Sequence, residues 1–131
     1  MSFNRGTLSM IRKISALLFL WVASATFSTA GTELVMVEEP GCVYCMRWNT
    51  EVGPIYPKTP EGQAAPLRRI DLTESLPADL SFRSRPVFTP TFVLMRDGQE
   101  VSRIEGYMGD NLFWGMLGMM FEQNSVHRSG G

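Results

Sequence analysis

Beyond residue 31 the chain runs as short apolar stretches separated by proline- and glycine-bearing breaks. Thr32 to Glu38 (TELVMVE) holds Leu34, Val35, Met36 and Val37 in a row, the signature of a strand buried on both faces. Glu39-Pro40-Gly41 interrupts it, and Cys45 to Val52 then reads as a helix that stops before Gly53-Pro54. Gly53 to Pro66 carries Pro54, Pro57, Pro60 and Pro66 and is loop-rich, with one helical turn opened by Thr59 as cap and Pro60 as first helical residue. Leu67 to Leu72 is a second strand, and Thr73 to Arg85 a connection with a helical turn at Pro77 to Phe82. Phe88 to Met95 is rich in strand formers, and Pro90 should mark the first residue of that strand because proline has no N–H for a ladder. Arg96-Asp97-Gly98-Gln99 is a tight turn, and Glu100 to Glu105 pairs back antiparallel. Val101 and Arg103 are expected on one face of that strand, Ser102 and Ile104 on the other. Asp110 caps a last helix from Asn111 to Gln123, and 125–131 is a flexible tail.

Residues 1–30 follow another rule. Arg5, Arg12 and Lys13 precede an apolar, uncharged run from Ile14 to Ala25, and Ser28-Thr29-Ala30 supplies small residues before Gly31. That order describes a signal peptide cleaved after Ala30, with Ala25 as the second choice of site. The strongly apolar stretch spans about 12 residues, short of the roughly 20 that a membrane-crossing helix needs. The domain is therefore expected over 31–124, outside the cytoplasm, where disulfide chemistry operates. Three of the twelve basic residues and none of the thirteen acidic ones lie in 1–30, which leaves nine against thirteen, a net charge of -4. A nucleic-acid module would show a basic excess instead. Two Cys and one His cannot make a four-ligand zinc site without carboxylates.

The two cysteines form Cys42-Val43-Tyr44-Cys45. A bridge here would close a very short loop, and a structural staple removes most chain entropy when it closes a long one. Redox exchange suits the spacing better. With Cys42 at the first turn of a helix and Cys45 a turn on, the sulfurs meet, and the unpaired N–H groups at that terminus favour a thiolate on Cys42. The chemical rival is a non-enzymatic copper carrier that uses both thiolates.

These residues together resemble a thioredoxin-fold protein: CVYC after a strand, Thr89-Pro90-Thr91-Phe92 opening the third strand, the Asp97-Gly98 turn, and Gly106 before the last helix. The resemblance implies an α/β fold, with a central mixed sheet of about four strands flanked by helices. It implies a thiol-disulfide oxidoreductase with Cys42 and Cys45 as catalytic pair and no cofactor or metal. It makes Pro90 cis beside the cysteines, gives Thr89 backbone groups to a substrate strand, leaves room for that strand at Gly106, and lets Val43 and Tyr44 tune the potential and shape the contact surface. Within the fold, the leader, Pro40-Gly41 before CVYC and the segment 53–66 are most similar to periplasmic thioredoxins of bacterial sulfur-oxidation clusters, the SoxS type. That similarity implies a monomeric reductase of a partner protein's disulfide, such as a sulfur-carrier protein, reduced in turn by a membrane electron-donor protein. An oxidase or isomerase of the same fold is the other reading.

The chain departs from the family pattern in places. Gly41 stands where cytosolic thioredoxins have Trp, Val43-Tyr44 replaces Gly-Pro, and Met36 occupies the position of the buried Asp. A proton acceptor for Cys45 would then be Glu38 or Glu39 through water, or none. Leu112 to Phe121 reads as a core helix, the seven methionines beyond residue 31 as core filling, Trp48 as packing on the sheet, and Arg68-Arg69 with Arg83 and Arg85 as solvated surface.

Overall fold

The computed structural model describes residues 31–128. The expected leader over 1–30 and the final residues 129–131 lie outside the described residues. Four strands form one mixed sheet in the order β2-β1-β3-β4: β1 (Thr32–Glu38), β2 (Leu67–Asp71), β3 (Thr91–Arg96) and β4 (Gln99–Glu105). β1 and β2 are parallel, and the other pairs are antiparallel. The helices are α1 (Val43–Glu51), α2 (Pro60–Ala64) and α3 (Asp110–Gln123), with a 3-10 turn at Tyr56–Lys58.

β1 is central, so its apolar residues serve both faces. Leu34 and Met36 join Phe92, Leu94 and Ile104 under α1 and α3, where Trp48, Phe113, Leu117 and Phe121 complete the larger core. Val35 and Val37 point the other way, toward Ile70, Leu80, Val93 and Met95. That second face is closed by the connection between β2 and β3, through Leu72, Leu76, Leu80 and Phe82. Full burial of one of these large side chains stabilises the fold by about 1.5–3 kcal/mol.

Several local expectations change. α1 starts at Val43 rather than Cys45, because the Cys42 sulfur accepts the Cys45 N–H at 3.1 Å and caps the helix. The turn expected over Pro77 to Phe82 is formed only in its first part, where Leu80 N–H donates to Pro77 O at 3.2 Å, and the chain is extended from Ser81, which bridges Gln99 in parallel. The open edge of β4 offers Ser81 hydrogen bonds to Gly98 O (2.7 Å) and from Glu100 N (3.0 Å), and these outweigh continuing the turn. β3 begins at Thr91, one residue after Pro90. β4 contains a bulge: Leu94 faces Ser102 but Met95 faces Glu100, so Val101 is unpaired and packs on the same cluster as Ile104 rather than sharing a face with Arg103. The cap of α3 is Gly109 (φ 116°), and Asp110 lies inside the first turn. The expected cap at Thr59 is present, with its hydroxyl accepting Gly62 N–H at 3.1 Å. Past α3, Val126 N–H donates to Phe121 O at 2.9 Å, and Arg128 pairs with Glu61 at 3.0 Å.

Candidate active site

β1 ends at Glu38, and Pro40 and Gly41 (φ 79°) turn the chain into α1. Cys42 and Cys45 are joined there as a disulfide, with an S–S distance of 2.09 Å. Their environments differ. Cys42 is half-buried at the helix start, whereas Cys45 is 3% exposed and belongs to the larger core. Val43, Tyr44 and Met46 stand in solvent around them. Only Cys42 is open to an approaching partner, and its sulfur sits at the helix N-terminus, whose free N–H groups stabilise negative sulfur, while Cys45 lies buried behind it.

The segment before β3 meets this helix. The Thr89–Pro90 peptide bond is cis, and Pro90 O accepts the Gly106 N–H at 2.7 Å. The Thr89 hydroxyl donates to Glu39 Oε1 at 2.7 Å, which ties the turn before Cys42 to the residue before Pro90. Tyr44, Phe88, Thr89, Gly106, Tyr107 and Met108 border a groove of about 710 Å³. Gly106 has φ 85° and no atom within 4 Å of where a side chain would begin, so backbone here faces open space. Phe88 and Met108 add exposed apolar surface. On its far side Tyr107 donates to Glu51, and the Arg47 guanidinium lies 5.7 Å from the Tyr107 ring centre. Burial, then the bond to Glu51, raises the Tyr107 phenol, so it stays protonated.

A second cavity, of about 550 Å³, opens on the other side of the disulfide and is bordered by Cys42 and Cys45. Met36 is fully buried and carries no ionisable group. Across from it in register, Arg69 spans Met36 Sδ (3.5 Å) and Glu38 (3.1 Å), and its guanidinium covers the Trp48 ring at 5.6 Å. Among the described residues there is no cluster of three or more His, Cys, Asp or Glu placed to hold a metal ion.

No family model matches the chain, and no curated relative does. Solved structures do. The periplasmic thioredoxin SoxS from Paracoccus pantotrophus, in its reduced form, is 46% identical, with a TM-score of 0.69 over 71% of this chain and 98% of that one. The chain belongs to the thioredoxin family. A thioredoxin-fold protein from Helicobacter pylori, 16% identical with a TM-score of 0.51 over 73% of this chain and 72% of that one, shares the fold. The mixed sheet with flanking helices and the CxxC disulfide follow the thioredoxin plan, and the activity of this thioredoxin is thiol-disulfide exchange.

The structure brings Cys42, Val43, Tyr44 and Cys45 together at one helix start, and Tyr44, Thr89 and Gly106 around one groove with Pro90 bonded beneath it. Sequence reasoning missed the residues that support them. Arg69 is an ion-paired neighbour of the site rather than free surface, and Arg83 and Arg85 are likewise engaged, donating to Val101 O and Leu72 O. Alternation along β1 and β2 places 36, 38 and 69 on the α1 face, but only the pairing register sets Arg69 opposite Met36.

Proposed function

We propose that this thioredoxin is a periplasmic disulfide reductase. The reading rests above all on the asymmetry of the pair, with Cys42 reachable at a helix N-terminus and Cys45 buried behind it, and with a groove starting at Tyr44, between the two cysteines in sequence. Cys42 thiolate attacks a partner protein's disulfide and forms a mixed disulfide. Cys45 then attacks the Cys42 sulfur and releases the partner as a dithiol. The partner's chain lies along the groove, its backbone meeting Thr89 beside Pro90 and passing over Gly106, while Val43 and Tyr44 supply the contact surface. The 46% identity to a periplasmic thioredoxin, together with the leader pattern in 1–30, supports export and cleavage of that leader. It also supports a sulfur-carrier protein as the disulfide substrate and a membrane protein as the source of electrons.

The test has two parts. A redox titration against a glutathione or dithiothreitol buffer should give a potential near about -270 mV, and a value near about -120 mV would replace the reductase with an oxidant. The Cys45→Ser protein, incubated with the purified sulfur carrier in its disulfide form, should accumulate a covalent complex that dithiothreitol releases. No complex under those conditions would rule out that partner.

A further inference from the structure

Cys45 is a buried thiol once the pair is reduced, and a buried thiol is a poor nucleophile until its proton has somewhere to go. The core cluster it belongs to, with Met36, Trp48 and Phe92 among its members, contains no carboxylate or imidazole. The polar exit is the cavity of about 550 Å³ behind the disulfide. Four carboxylates border it, and they differ in what already occupies them. Glu39 accepts the Thr89 hydroxyl, and Asp71 accepts both the amide and hydroxyl of Thr73. Glu74 lies beyond the end of β2. Glu38 is two residues past Met36, so it leaves β1 on the same face as the Cys45 cluster. It is held by the Arg69 guanidinium at 3.1 Å. Asn49, one helical turn beyond Cys45 and bordering the same cavity, has a buried Oδ1 with no hydrogen-bond donor among the described residues. A buried acceptor of that kind beside a cavity wide enough for water is where an ordered water binds.

We propose that Glu38 accepts the Cys45 proton through a water held on Asn49, with Arg69 as the positioning residue. The inference rests on exchange through Cys42 and Cys45. In the mixed disulfide the Cys45 S–H proton passes by way of the water to the Glu38 carboxylate. The Cys45 sulfur lone pair forms the bond to Cys42 Sγ, and the bond from Cys42 to the partner sulfur breaks. The electron pair leaves on the partner sulfur, which takes a proton from solvent. The dithiol is oxidised by two electrons and the partner's disulfide reduced by two. Arg69 serves both ends of the transfer. Before it, Arg69 balances Glu38; once Glu38 is protonated, the guanidinium charge is free to oppose the thiolate bordering the same cavity. Glu38 stands half-exposed, so it returns its proton to solvent before the next turnover.

The experiment isolates the Cys45 step from any natural partner. Reduced protein mixed with 5,5′-dithiobis(2-nitrobenzoate) in a stopped-flow instrument releases one thionitrobenzoate when Cys42 attacks and a second when Cys45 closes the disulfide. In Glu38→Gln the second phase should slow about tenfold near pH 7, less than the roughly 10²–10⁴-fold of a base in direct contact, because the transfer runs through water in a cavity open to solvent. Its pH profile should move to higher pH, because without the carboxylate the buried thiol must lose its proton to bulk solvent. The first phase should change less than about twofold, and Asn49→Ala should slow the second phase alone by a smaller factor. A second phase unchanged in rate and pH profile in both variants overturns the proposal. So does an equal slowing of both phases at every pH, which would be a structural effect. If the wild-type protein releases no thionitrobenzoate, exchange at Cys42 itself is refuted, and the relay with it.

Discussion

Reducing the Cys42–Cys45 bond should cost this fold little, and the size of the effect follows from where the bond lies. The cysteines are three positions apart, so the bridge closes a loop of four residues. Loop-closure entropy for so short a ring is worth about 2 kcal/mol at 25 °C, against about 4.7 kcal/mol for a 100-residue loop. An opposing contribution exists in the reduced form. The Cys45 N–H already points at Cys42 Sγ at 3.1 Å, and a thiolate there accepts that bond more strongly, by about 1 kcal/mol. The larger core does not depend on the bridge, since Trp48, Phe92 and Phe113 pack together through their rings. The oxidised protein is therefore expected to be the more stable by about 1–2 kcal/mol. Urea unfolding of the two forms at pH 7, followed by tryptophan fluorescence, measures this: the slopes should agree and the midpoints differ by about 2 M or less. A reduced form that is unfolded, or weaker by more than about 4 kcal/mol, would make the bond a staple and refute the reasoning from loop length. A reduced form more stable than the oxidised one would mark an oxidant and contradict the reductase direction.

Two further outcomes are expected. Gly62→Ala should lower stability by about 2 kcal/mol or more, because its Cβ would stand 1.9 Å from Tyr56 O, a backbone atom that cannot step aside. Differential scanning calorimetry should show a melting temperature lower by roughly 8 °C or more, and an unchanged value would mean that α2 shifts freely. Glu100 is buried on β4; burial alone would raise its carboxyl, but hydrogen bonds from Arg103 and the Arg83 amide hold it below the ordinary 4.5. The stability it supplies is present above the unfolded value of 4.5 and is lost as pH falls through the lower folded value. Glu100→Gln should cost about 2 kcal/mol at pH 7 and progressively less below that window, so an equal cost at pH 7 and pH 3 in chemical denaturation would count against the pairing.

Much of this thioredoxin could be read along the chain because the signals are local. Four consecutive apolar residues in β1 require cover on both faces, Thr59-Pro60 opens a turn of helix wherever it stands, and Asp97-Gly98 reverses a chain with no help from its surroundings. The cysteine spacing likewise announces its chemistry, since one helical turn brings the sulfurs together. Features that depend on partners distant in sequence were hidden. Ser81 leaves its local turn for the edge of β4, and Val101 changes face because a bulge shifts the register. Arg69 lies 33 positions from the Met36 it covers, Thr89 lies 50 from Glu39, and Tyr107 lies 56 from Glu51. Local preference is set by each residue's own backbone and side chain, so it can be read one segment at a time. The groups that surround the disulfide are set by strand register and by competition for unpaired hydrogen bonds, and both exist only once the sheet has closed.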